Sequence, residues 1–107
     1  MLTLPIKKKW FDMIKSGEKK EEYREIKPYW TKRFENNLNE VVLNMNYRYP
    51  MIESAKGTVI FKNGYQKNAS KIKCEINIKV NIGKLEWGAE PNKSYYVLKI
   101  LRVEKID

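Results

Sequence analysis

Across residues 71–79 apolar and polar side chains alternate without a break. Ile72, Cys74, Ile76 and Ile78 fall on one side, and Lys71, Lys73, Glu75, Asn77 and Lys79 on the other. A repeat of two is the side-chain period of a β-strand, so this stretch belongs to a sheet with one face covered and one face wet. The pattern can continue through Ile82, and Cys74 fits it as a small apolar core filler. A long turn follows, marked by Gly83 and the Trp87-Gly88-Ala89-Glu90-Pro91-Asn92 run. Residues 94–103 then place Tyr96, Leu98, Ile100 and Arg102 on one face and Tyr95, Val97, Lys99, Leu101 and Val103 on the other. Apolar groups on both sides suit a central or barrel strand. Upstream, residues 40–47 read as a largely buried strand that Tyr49-Pro50-Met51 breaks. Residues 57–61 read as a short strand, Asn63-Gly64 as a tight turn and residues 66–70 as a polar loop. These segments lie too close together for helical crossovers, which predicts a mixed or antiparallel sheet.

The front of the chain has a different period. After Leu2 and Leu4, Pro5 has the fixed φ of a helix's first turn. Ile6, Trp10, Met13 and Ile14 then recur at helical spacing until Gly17, which predicts a helix over residues 7–16 with a glycine cap. Lys7, Lys8 and Lys9 bring positive charge to the positive end of its dipole, a conflict of about 0.3–1 kcal/mol each when exposed. A docked anion would relieve it; a solvated, salt-screened lysine face is the plainer alternative. Residues 18–26 switch back to a period of two, with Lys20, Glu22 and Arg24 on one face and Lys19, Glu21 and Tyr23 on the other. Pro28 opens a second helix with Trp30 and Phe34 turned in, Lys32 and Arg33 turned outward, and Asn36, Asn37 and Asn39 marking its end. Spacing assigns Trp10 and Phe34 to the core. The predicted fold is α+β: one domain over residues 1–107, a small curled β-barrel of about five to six mostly antiparallel strands flanked by two helices.

With 107 residues the chain can bury one hydrophobic centre. It contains no apolar run near the roughly 20 residues of a membrane span and no secretory signal pattern, so a cytoplasmic protein without membrane association is expected. The single cysteine and the absence of histidine exclude an intramolecular disulfide, Cys/His zinc sites and histidine acid–base catalysis. No metal or cofactor is expected. The net charge of +9 favours polyanionic partners, and it is concentrated: residues 7–33 carry ten basic and five acidic side chains.

Within that basic third, Gly17-Glu18-Lys19-Lys20-Glu21-Glu22-Tyr23-Arg24 fits the pattern Gly-x-Lys-x-x-Glu-x-Arg. The motif resembles the signature of the ASCH domain family of the PUA-like superfamily. The preceding Leu-Pro-Ile-Lys-Lys-Lys-Trp-Phe-Asp-Met-Ile-Lys-Ser, the later Trp87-Gly88-Ala89-Glu90 and the closing Tyr-Tyr-Val-Leu-Lys-Ile also look like short ASCH proteins, phage-borne ones among them. The resemblance implies a PUA-like barrel whose motif lines a cleft for RNA or a modified nucleoside. It implies Gly17 as hinge, Lys19 and Arg24 as cationic groups and Glu22 as their carboxylate partner. Family members that hydrolyse N4-acetylcytidine resemble Gly-x-Lys-x-x-Thr-x-Arg, with threonine as nucleophile. Here that position is Glu22, which has no hydroxyl.

Residue chemistry gives the motif a structural alternative, an ion pair closing the barrel mouth. As a site, a planar guanidinium at Arg24 can hold phosphate or carboxylate with two hydrogen bonds, while Lys19 and Lys20 offer point charges. Aromatic faces can stack bases, and Tyr23, Tyr29, Trp30, Tyr47, Tyr49, Tyr65, Trp87, Tyr95 and Tyr96 are all possible platforms. Of these Trp87 and Tyr65, which sit in turns, are the best placed to face a ligand. The expected ligand-binding set is therefore Gly17, Lys19, Lys20, Glu22, Arg24, Tyr65 and Trp87. The alternative is an enzyme, a ribonuclease or amidohydrolase on modified nucleosides, with Lys19 as a proton-transfer group and Glu22 as general base. An adaptor that presents its basic face to an acidic protein is a third reading.

Overall fold

The computed structural model describes residues 1–37 and 55–106. In chain order its elements are β1 (Leu2–Ile6), α1 (Lys8–Ser16), β2 (Glu21–Arg24), α2 (Pro28–Asn37), β3 (Ala55–Asn63), β4 (Lys71–Ile82) and β5 (Ser94–Lys105), with a 3-10 turn at Leu85–Trp87 before β5. The five strands form one curled sheet in the order β1-β3-β4-β5-β2. β1 runs parallel to β3, and the other three pairings are antiparallel. Among the described residues β1 and β2 remain as unpaired edges, so the sheet is an open half-barrel rather than a closed one. The strand expected over residues 40–47 and its break at residues 49–51 lie outside the described residues.

β4 keeps the alternation written in its sequence: Ile72, Cys74, Ile76 and Ile78 are all fully buried. They pack with Val59 and Phe61 of β3, Leu2, Leu4 and Ile6 of β1, Phe11 and Ile14 of α1, Phe34 of α2, and Tyr96 and Leu98 of β5. β5 buries four successive residues, Tyr95 to Leu98, because its second face carries a smaller cluster of Tyr23, Tyr95, Val97 and Ala89. Gly83 lies against that cluster so closely that a Cβ there would meet the Ala89 Cβ at 2.6 Å and the Tyr23 ring at 2.8 Å. A bulge between Glu75 and Ile76 shifts the β4–β5 register and leaves Leu101 without a partner across the ladder.

Two local expectations are corrected. Pro5 and Ile6 belong to β1, not to a helix. The alternation of Leu2, Leu4 and Ile6 toward the core outweighs the suitability of Pro5 for a helix start, and an edge strand tolerates the missing N–H. α1 therefore begins at Lys8, with Lys7 as an extended N-cap residue that makes no side-chain cap bond. The strand expected over residues 18–26 is confined to Glu21–Arg24, the four residues that pair with Lys99, Leu98, Val97 and Tyr96 of β5. α2 is held on β5 by a buried hydrogen bond between the Thr31 and Tyr96 hydroxyls (2.5 Å) and by Phe34, whose ring meets that of Tyr96 edge-on at 5.3 Å. None of the described helices is long and apolar enough to cross a membrane.

Candidate functional site

Gly17 ends α1 in the left-handed conformation (φ 88°), with its N–H donating to the Ile14 carbonyl at 3.1 Å. The reversal is then pinned twice. Lys19 N–H donates to the Met13 carbonyl, and the Lys20 carbonyl accepts from Ile100 N–H, which sets the start of β2 beside β5. Between these anchors the Lys19 side chain has nowhere to go but inward, and it is 1% exposed.

Its ammonium is fully occupied. Lys19 Nζ lies 3.1 Å from Glu22 Oε1, donates to the Trp87 carbonyl at 2.5 Å and sits 4.2 Å from the centre of the Trp10 ring. Burial pushes its pKa below the ordinary 10.5, against the opposing pull of Glu22. The second carboxylate oxygen, Glu22 Oε2, accepts from Arg24 Nη1 at 2.7 Å, and the same nitrogen donates to the Tyr23 carbonyl at 2.7 Å. The period of the strand puts Glu22 and Arg24 on one face, and the carboxylate between two cations orients both. One negative charge thus serves two positive ones. The surplus charge resides on Arg24, the more accessible of the two. On the opposite face Tyr23 is held by other means: its hydroxyl donates to Glu21 Oε1 at 2.7 Å and accepts from Lys84 N–H, and burial raises its pKa above 10.

Glu22 and Arg24 open onto a cleft of about 800 Å³ lined by residues of both unpaired edges of the half-barrel, β1 and β2. Its walls are largely aromatic, with Trp10 from α1, Tyr29 and Trp30 from α2, Tyr65 from the turn after β3, and Trp87 from the 3-10 turn. All three tryptophans of the chain are therefore in one place. The Arg24 guanidinium lies 5.1 Å from the centre of the Trp30 ring, and that of Arg33 lies 4.5 Å from Tyr29 and 5.9 Å from Trp30. Gly88 adopts φ +100°, and a Cβ there would come within 3.1 Å of the Trp10 ring, so the Trp87-Gly88 turn can approach that ring only as it is. A second lobe of about 480 Å³ shares Tyr23, Arg24, Trp30 and Gly88 with the first. Its remaining charges neutralise one another: Lys93 pairs with Glu90 (3.2 Å) and Glu25 (3.7 Å), and Lys27 lies 3.9 Å from Glu25.

Of the residues expected from sequence, Glu22, Arg24, Tyr65 and Trp87 line the cleft. Lys19 does not; it sits behind Glu22 as its buried counter-charge. Lys20 is exposed, and Gly17 acts as the helix cap rather than as part of the wall. Arg33, Lys7 and Trp10 line the cleft although their sequence context pointed elsewhere. Trp10 is only partly buried, at the rim of the core to which its spacing assigned it. Arg33 carried a usable signal, since it follows Tyr29 and Trp30 by four and three residues, the spacing that stacks side chains on one helix face. Tyr47 and Tyr49 lie outside the described residues. No group of three or more acidic or cysteine side chains among the described residues is placed to hold a metal ion. No protein-family model, curated protein or solved structure matches the chain.

Proposed function

We propose that this cleft binds RNA or a modified nucleoside, as the resemblance of the Gly17–Arg24 motif to the ASCH domain signature implies. The observation that carries the reading is Arg24, fixed by Glu22 and set 5.1 Å from the Trp30 ring inside an aromatic cleft. A base has two faces to stack and polar edges to bond. Aromatic stacking supplies roughly 1–3 kcal/mol per base, and a guanidinium held in advance loses little freedom when it bonds a ligand. Tyr65 is 87% exposed and Trp87 half-buried, so both rings can present area to an incoming base. A fluorescein-labelled single-stranded 12-mer RNA, followed by anisotropy over a salt series, tests the reading. Wild type should bind at low salt and weaken as salt rises, and Arg24→Gln should lose about tenfold. Absence of low-salt binding, or an unaffected Arg24→Gln, rejects it.

One observation favours a second reading, catalysis on such a ligand: the Lys19 amine has a lowered pKa and touches Glu22, the only carboxylate on the cleft wall among the described residues. In that case Glu22 acts as the base and Lys19 modulates it from behind. Turnover of RNA or of N4-acetylcytidine by wild type, lost in Glu22→Gln, would establish it; tight binding without turnover would dismiss it.

A further inference from the structure

The binding reading leaves open which part of a nucleotide the cleft recognises, and the charges on its wall bear on that. Among the described residues Lys7, Arg24 and Arg33 all line the cleft, against Glu22 as its sole carboxylate. Glu22 is already matched by Lys19, which lies behind it. Among the described residues Arg33 has no acidic partner; its guanidinium rests on Tyr29 and faces Trp30. The neighbouring lobe, by contrast, has its lysines and glutamates paired. Among the described residues Arg33 therefore adds positive charge to the first lobe alone, and with Arg24, which borders both lobes, it flanks one indole, Trp30.

Resting on the binding reading, we infer that Arg24 and Arg33 form a phosphate seat beside Trp30, so that the cleft selects phosphorylated nucleotides over free nucleosides. Arg24 is the fixed arm, because Glu22 and the Tyr23 carbonyl share one of its nitrogens and leave the rest of the fork open. Arg33 is the mobile arm, exposed on α2 and able to swing onto a phosphate already held by Arg24. A phosphate offers enough oxygens for both forks, which a base edge or a ribose hydroxyl does not. The base then stacks along the aromatic wall with its phosphate at the Arg24–Arg33 end. The same chemistry could come from a terminal phosphate monoester or from an internal phosphodiester of RNA.

Calorimetric titration of the full chain with the four common ribonucleosides, their 5′-monophosphates and the dinucleoside monophosphate UpU separates the possibilities. In wild type the monophosphates should bind at least about tenfold tighter than the nucleosides. Arg33→Gln, an exposed position that does not threaten folding, should remove most of that advantage. UpU as tight as the monophosphates assigns the seat to internal diesters; UpU weaker than the monophosphates assigns it to terminal phosphate. Equal binding of nucleosides and monophosphates overturns the phosphate seat and spares the binding reading. A phosphate preference that survives Arg33→Gln also overturns it. If neither these compounds nor the labelled RNA bind, the binding reading itself is overturned.

Discussion

Two ion-pair clusters lie side by side around β2, one of Lys19, Glu22 and Arg24 and one of lysines and glutamates alone, in different surroundings. In the first, Lys19, Glu22 and Arg24 have side chains 1%, 7% and 14% exposed. In the second, Glu25, Lys27, Lys93 and Glu90 range from 40% to 69% exposed. The ions of the buried cluster have surrendered water and depend on each other, so Glu22 holds a fixed orientation and Arg24 is presented to the cleft in one pose. The exposed cluster has water as an alternative partner and neutralises itself, so it contributes little to stability and offers little field to a ligand. Both clusters pair amines with carboxylates; burial decides which of them fixes its charged groups in place.

The largest effect should come from removing the shared carboxylate. Glu22→Ala leaves the Lys19 ammonium buried without its counter-charge, and urea unfolding should show a loss of about 3–5 kcal/mol. A loss below about 1 kcal/mol would mean that the buried cluster is no more coupled than the exposed one. Next comes a difference of sign. Lys19 has a folded pKa below 10.5, chiefly from burial, so the unfolded chain takes up the proton more readily and stability climbs with pH between that lowered value and 10.5. Lys93 has a folded pKa raised by its hydrogen bond to Glu90, so its contribution is complete below 10.5 and is lost as pH rises through the raised value. The stability gap between wild type and Lys19→Met should therefore shift in favour of wild type as pH approaches 10.5. The gap to Lys93→Met should shift weakly the other way above 10.5, and parallel slopes would contradict the contrast. Smallest of all, Glu25→Gln should change stability by less than about 0.5 kcal/mol at moderate salt.

Much of the fold was legible where a period is enforced by burial on one face. The alternation of β4, the cap at Gly17 and the start of α2 at Pro28 all follow from local rules. β1 is not legible as a strand, because its three inward residues Leu2, Leu4 and Ile6 are interrupted by a proline that also suits a helix start, and only the parallel pairing with β3 decides between them. The site was half legible. Glu22 and Arg24 share a strand face by period alone, but the inward course of Lys19 depends on the Gly17 reversal and the Trp87 carbonyl, 68 residues away in the chain. Trp10 shows the same limit: helical spacing points it inward, and whether it meets core or cleft depends on how far the sheet closes.

The most direct test of the cleft as the binding surface is a titration of the ¹⁵N-labelled protein with the single-stranded 12-mer RNA, following amide and indole N–H signals. The three indoles, Trp10, Trp30 and Trp87, all report on the cleft, and none lies on the outer surface formed by Thr58, Lys73, Glu75, Arg102 and Glu104. Progressive shifts of the Trp30 and Trp87 indoles, with the amides of Lys73, Glu75 and Arg102 unmoved, is the predicted result. Shifts confined to that outer surface, with all three indoles unmoved, would contradict it.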